Sequence, residues 1–258
     1  MKKVLVVMCV IAMVAFAVPA VAVDLFVNGG FETGNFNGWT LEYGNVINNT
    51  ASPVWGTNPY SYGNVTPTIV TASTYPTAGQ QTLDVNPYNG IYMAQINDRV
   101  GNWHATRISQ TGTLLAEHIG DTVYVNWGAV LENPNHPAID QPVFSIQILK
   151  NGSIIDSFFA NATNAASTWT LAGTGWGGDP LYYKAGQYTY DLSGWAVGDE
   201  ITVSMWVTDC GQGGHGGYAF LDGIGTEYVT PPNGVPEPTT MLLLGLGLVG
   251  LAGFRKRS

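Results

Sequence analysis

Between the two chain ends, short segments rich in strand-forming residues recur, separated by turn residues. Residues 122–130 (Thr-Val-Tyr-Val-Asn-Trp-Gly-Ala-Val) alternate with period two, as a half-buried strand does. Residues 143–150 run into Asn151-Gly152 and then 153–159, which predicts a hairpin with Asn151-Gly152 as its turn. Segments 187–192, 201–208 and 218–228 predict further strands, joined by loops rich in Gly, Asp and Trp, and 39–43, 90–96 and 105–114 predict earlier ones. No segment between the two chain ends sustains a helical apolar stripe, so the body is predicted to be all-β. This many strands in one body predicts a jelly-roll β-sandwich.

The ends break the pattern. Met1-Lys2-Lys3 precedes an apolar run over 4–18, and Pro19-Ala20-Val21-Ala22 then puts small residues where a signal peptidase reads, so cleavage is expected after Ala22. The run is shorter than the about 20 residues a spanning helix needs. Cys9 lies inside it rather than just after it, so no acyl anchor is implied. At the other end Pro236-Glu237-Pro238 precedes an apolar segment over 241–254, and Arg255-Lys256-Arg257 stands just before Ser258. Proline motif, apolar helix and basic stop, in that order, predict a transient membrane tether whose basic residues stay on the cytoplasmic side. This tail resembles PEP-CTERM, the alternative being an ordinary tail anchor. The resemblance implies an exosortase that recognises Pro236-Glu237-Pro238 and cleaves nearby. It also implies export to the envelope, surface or extracellular matrix of a Gram-negative bacterium that makes exopolysaccharide. The expected organisation is a signal helix over 1–22, a β-sandwich over 23–230, and a linker with a hydrophobic sorting and anchor helix over 231–258.

Charge narrows the partners. The chain holds 9 basic and 18 acidic residues, and Lys2, Lys3, Arg255, Lys256 and Arg257 lie in the terminal segments. The body keeps only Arg99, Arg107, Lys150 and Lys184, too few to neutralise a phosphate backbone, so nucleic acid is excluded as a partner. Cys210 is left alone once Cys9 departs with the signal, so no intrachain disulfide can form and stability has to come from the core or from a metal.

Asn28-Gly29-Gly30-Phe31-Glu32, followed by Gly38-Trp39, resembles the opening of galactose-binding-like carbohydrate-binding modules. Tyr218-Ala219-Phe220-Leu221-Asp222-Gly223-Ile224 is similar to their last strand. The resemblance, which extends to the phrase from Arg107 to Gln110, implies that first and last strands pair. It also implies that Glu32 and Asp222 share a structural calcium, a hard cation suited to carboxylate oxygens. The competing reading makes Glu32 a solvated turn residue and pairs Asp222 with a backbone donor.

Asp209-Cys210-Gly211-Gln212-Gly213-Gly214-His215-Gly216-Gly217-Tyr218 is the densest local motif. Asp209 and His215 are of metal-ligand type and Cys210 of reactive-thiol type, but His104, His118 and His136 stand at no recognisable ligand spacing from His215. The expectation is therefore structural: a tight glycine loop with Cys210 as a small buried side chain.

Sugar surfaces stack pyranose faces on aromatic rings and bind hydroxyls with polar groups. Candidates in loop-like contexts are Trp55, Tyr60, Tyr62, Trp103, Trp176, Tyr182 and Tyr183, whereas Trp39, Trp127 and Trp206 lie on predicted strands and are assigned to the core. No Gly-x-Ser-x-Gly elbow, His-Glu-x-x-His helix or phosphate loop occurs. The expected function is noncatalytic interaction with exopolysaccharide or envelope glycans. A purely structural matrix component and a divergent glycoside hydrolase are the alternatives.

Overall fold

Asn151 (φ 49°) and Gly152 (φ 81°) both take the left-handed conformation. A two-residue hairpin with right-handed strand twist requires this. They join the strands Val143–Lys150 and Ser153–Asn161, as their sequence predicts. The computed structural model describes residues 24–46, 52–56, 65–76, 82–85, 87, 90–175 and 178–226. Both predicted terminal helices and the motif residues Pro236 to Pro238 and Arg255 to Arg257 lie outside the described residues. Among the described residues, no helix is long and apolar enough to cross a membrane.

The strands, in chain order, are β1 (Thr40–Val46), β2 (Pro53–Trp55), β3 (Thr68–Val70), β4 (Ser73–Pro76), β5 (Thr82–Val85), β6 (Met93–Ile96), β7 (His104–Thr113), β8 (Thr122–Glu132), β9 (Val143–Lys150), β10 (Ser153–Asn161), β11 (Thr170–Thr174), β12 (Pro180–Asp191), β13 (Glu200–Thr208) and β14 (Gly217–Gly225). A 3-10 turn over Ala116–His118 and a short helix α1 (Ala162–Thr168) interrupt them. Asn161 starts α1 by accepting the Asn164 amide hydrogen at 2.9 Å.

The order β10-β9-β13-β7-β1-β2 makes the first sheet and β11-β12-β8-β14-β6-β3 the second, every pairing being antiparallel. β4 and β5 form a separate ribbon. Sequence neighbours such as β8 and β9 lie in different sheets, and the two sheets form a jelly-roll sandwich.

Alternation decides what enters the core. Ile108, Phe144, Ile146, Ile148, Val203, Met205 and Val207 of the first sheet meet Val123, Val125, Trp127, Ala129, Leu131, Ala219 and Leu221 of the second in one buried cluster. Each fully buried Val, Leu, Ile or Phe side chain contributes about 1.5–3 kcal/mol. Trp127 anchors one end of the cluster, its ring 4.9 Å from Phe144, 5.1 Å from Phe158 and 6.1 Å from Trp169 between centroids.

Two expectations are corrected. The opening residues 24–39 form turns rather than a first strand, and meet β14 through one bond from the Ile224 amide to the Gly29 carbonyl at 3.2 Å. The strand predicted over 187–192 is only the second half of β12, which starts at Pro180.

Candidate functional site

Because Ile108, Ile146 and Met205 point into the core, their neighbours along β7, β9 and β13 face away from it. The register aligns these outward positions into rows that cross the first sheet. Phe159 stands opposite Ser145, Ser145 opposite Trp206, Trp206 opposite Arg107, and Arg107 opposite Glu42. Phe159 is 56% exposed, and Trp206, Arg107 and Glu42 are half-buried. The next row is Ser157, Gln147, Ser204, Ser109 and Thr40, all hydroxyl or amide side chains, of which Ser204 is buried and the other four are exposed or half-buried.

Trp55 joins the first row from the neighbouring register position on β2, its ring reaching over Arg107. It pairs with Gly44, which pairs with Ala105, and these small residues leave space for the indole above the sheet. A Cβ on Gly44 would stand 2.3 Å from the Val54 carbonyl oxygen, so only glycine lets β2 approach this closely. The Arg107 guanidinium carbon lies 4.4 Å from the Trp55 ring centroid. The Trp55 ring meets Trp206 edge to face, 6.3 Å between centroids and 77° between planes. Arg107 Nε donates to Glu42 Oε2 at 2.6 Å, so the carboxylate holds the guanidinium over the ring.

The other aromatic candidates behave differently. Trp103 takes φ 60°, donates from Nε1 to the Gly211 carbonyl at 3.3 Å, and packs where a Cβ on Gly213 would come within 2.1 Å of its ring. It clamps the glycine loop rather than standing free. Tyr182 and Tyr183 lie on β12, not in a loop, and consecutive strand residues face opposite ways. Tyr182 packs on the main core, and Tyr183 packs on a second cluster of Met93, Val130, Ala172, Leu181, Tyr218 and Phe220. Burial pushes the Tyr183 phenol up from its ordinary pKa. Tyr60, Tyr62 and Trp176 lie outside the described residues. Trp206, assigned to the core because it lies on a predicted strand, belongs instead to the outward row. Arg107, Glu42 and Phe159 are further members of that row that the sequence did not single out.

Three segments meet at the chain-end clamp. Glu32 accepts the Ile91 amide at 3.1 Å through each oxygen and the Tyr92 amide at 3.1 Å through Oε1. Gly90 leaves room for this carboxylate, since a Cβ there would come within 2.2 Å of it. Residues 91–92 lead into β6, which pairs with β14 up to Leu221. The buried Asp222 follows at a bulge where Gly223 (φ 115°) packs on Gly30, with 3.2 Å from a Cβ on Gly223 to the Gly30 α-carbon. Glu32 thus clamps the turn through amide hydrogens.

At one end of the sandwich Asp209 is fully buried. It accepts from Asn97 Nδ2 at 3.0 Å, the Asn102 amide at 2.9 Å, the His104 amide at 2.8 Å and the Gly217 amide at 3.4 Å. Burial pushes its carboxyl well above the usual range, against the downward pull of the Asn102 and His104 amides. Asp209 therefore fastens the motif to the 97–104 segment and has no oxygen left over for a metal. Cys210 is buried and unbridged, and burial raises its thiol, the opposite of a reactive thiolate.

Residues 234–257 match the family model of the PEP-CTERM protein-sorting motif. The motif marks an exported protein, sorted to the cell envelope or surface with exosortase processing. No curated protein matches the chain. Solved structures similar to it include TmCBM61 in complex with beta-1,4-galactotriose, at 15% identity and TM-score 0.42, covering 79% of this chain and 97% of that one. Another is Caldicellulosiruptor saccharolyticus CBM27-1 in complex with mannohexaose, at 11% and 0.39, covering 81% and 97%. A third is CBM28, a non-crystalline cellulose specific carbohydrate-binding module, at 14% and 0.36, covering 80% and 98%.

Proposed function

We propose that this chain is a noncatalytic surface or matrix protein that binds exopolysaccharide or another envelope glycan on the outward face of its first sheet. The observation that carries the reading is the adjacency of Trp206, Arg107 and Phe159, with Trp55 stacked on Arg107, to the accessible polar side chains Ser157, Gln147, Ser109 and Thr40 of the next row. Rings bury the apolar face of a pyranose, and the hydroxyls and amides next to them exchange hydrogen bonds with sugar hydroxyls. A sheet surface offers successive sugars of an extended chain a repeat of similar contacts, which suits a polymer better than a monosaccharide.

Glu42 is the one carboxylate in either row, and Arg107 holds it at 2.6 Å. Glycoside hydrolysis uses a pair of carboxyl groups flanking the bond, so these rows support recognition rather than cleavage.

Delivery follows from the two ends. Signal peptidase removes 1–22, and the apolar tail tethers the body to the inner membrane of a Gram-negative cell until the exosortase acts at Pro236-Glu237-Pro238. Calcium held by the Glu32 and Asp222 carboxylates would tie the opening turn to the closing strand, where no disulfide among the described residues does so. The testing experiment is binding of the full chain to a glycan array and to native exopolysaccharide. Saturable binding, weakened by replacing Trp55 and Trp206, supports the reading, and its absence in a folded sample contradicts it.

A further inference from the structure

Cys210, His215 and His136 meet at the end of the sandwich, with one potential ligand atom from each lying within 4.8 Å of the others. Cys210 Sγ is 3.4 Å from His215 Nδ1, and the rings of His136 and His215 stand edge to face at 5.0 Å between centroids. His136 Nδ1 is buried without a hydrogen-bond partner.

The geometry also sets the tautomer. His215 Nε2 lies 3.0 Å from Asp179 Oδ2, a distance at which the ring donates its Nε2 hydrogen to the carboxylate. The Nδ1 lone pair then faces the thiol and His136. A carboxylate on the outer nitrogen of a histidine, with the inner nitrogen free to ligate, is the usual support of a metal-bound imidazole.

The surrounding structure holds these groups in place. Glu132, at the end of β8, accepts the Gly216 amide at 3.1 Å through Oε2 and the Asp179 amide at 3.3 Å through Oε1, fixing Asp179 beside His215. The Gly211 amide donates to the Asp140 carbonyl at 2.8 Å, and Gln141 Nε2 donates to the His136 carbonyl at 2.8 Å, fixing the loop that carries His136. Gly101 closes the floor, since a Cβ there would be 2.3 Å from the His215 amide nitrogen.

We propose that Cys210, His136 and His215 form a transition-metal site that takes zinc(II), with Asp179 positioning His215 and a water completing the four-coordinate shell. One thiolate and two imidazoles are the donor types zinc prefers, and a hard ion such as calcium has no reason to choose them. Binding releases the thiol proton to solvent and involves no redox step. The site joins the 133–142 and 209–217 loops, which no covalent bond connects.

The test is titration of the reduced, metal-stripped full chain in mild detergent with cobalt(II), then displacement with zinc. The expected result is one equivalent of cobalt with a thiolate charge-transfer band and the intense visible bands of tetrahedral coordination, abolished by zinc and unaffected by calcium. Cys210→Ser removes the charge-transfer band, and His136→Gln, on a half-buried loop that leaves the sheets intact, weakens binding at least tenfold. Asp179→Asn weakens it by about 10- to 100-fold while keeping the band. Zinc should also raise the melting temperature of the parent chain and not that of His136→Gln, so a poorly folded Cys210→Ser would not decide the matter. A cobalt spectrum without thiolate character, or equal zinc affinity in the parent and His136→Gln, overturns the proposal.

Discussion

Arg107 lies over the face of Trp55, its guanidinium carbon 4.4 Å from the ring centroid, although the two residues come from β7 and β2 with β1 between them. The stack depends on Glu42, which holds the guanidinium, and on Gly44, which lets β2 approach β1 closely enough to carry Trp55 there. It ties three strands together at one edge of the outward face.

Arg107→Lys is predicted to weaken glycan binding while leaving the fold intact. Lysine keeps the charge but lacks the planar group that stacks on the ring and grips the carboxylate together. The half-buried ion pair still faces solvent and contributes only about 1 kcal/mol to stability. Parallel melting and glycan-affinity measurements check this; an affinity equal to the parent chain's would show that the stack does not order the site.

Gly44→Ala is predicted to lower both stability and glycan affinity. The new methyl meets the Val54 carbonyl oxygen and pushes β2 away, carrying Trp55 with it. Overpacking of this kind costs about 1–3 kcal/mol. Denaturant melts measure the first effect and polysaccharide titration the second, and a variant stable and active as the parent contradicts the account.

The hairpin at Asn151-Gly152 was legible because its chemistry is local: two residues with positive φ between two alternating segments. Trp206 was not. It sits in the run Ser204-Met205-Trp206-Val207, apolar on both faces, so alternation there does not reveal which residues face inward. Trp127, in a cleanly alternating strand, was assigned to the core correctly. The first half of β12 was missed because Pro180 opens it and Lys184-Ala185-Gly186 break the apolar alternation. α1 carries almost no apolar stripe, and its Asn161 cap is its main local signal. His136 illustrates a different limit. Sequence spacing gave no reason to join it to Cys210 and His215, because the β8–β9 and β13–β14 loops, each crossing between the two sheets, bring them together.

Glu32→Ala and Asp222→Asn are predicted to differ. Glu32→Ala removes the acceptor for the Ile91 and Tyr92 amides and should lower the melting temperature with or without calcium. Both donors reach an exposed carboxylate, so solvent screening keeps the loss to about 1 kcal/mol. Asp222→Asn should mainly abolish the extra stabilisation that calcium gives the parent. Calcium stabilisation unchanged in both variants would remove calcium from this clamp.

Acid stability should depend on Asp199. The hydrogen bond from Lys150, then those from the Ala196 and Asn151 amides, hold its carboxyl down to about 2 from 3.8. A lowered folded-state pKa gives stabilisation that is complete above the unfolded value and is lost as pH falls through the folded one. The melting advantage of the parent over Asp199→Asn should therefore vanish between about pH 4 and about pH 2. Parallel melting curves across that range would contradict the assignment.

The central claim is that Trp55 and Trp206 build a glycan-binding face. Its most direct test is calorimetric titration of native exopolysaccharide into the full chain and into Trp55→Ala, Trp206→Ala and the double variant. Loss of a ring that stacks on sugar should cost about 1.4–3 kcal/mol, which is a tenfold or greater drop in affinity for each variant and no measurable binding in the double. Saturable binding by the parent that survives both substitutions unchanged would place the glycan elsewhere on the molecule.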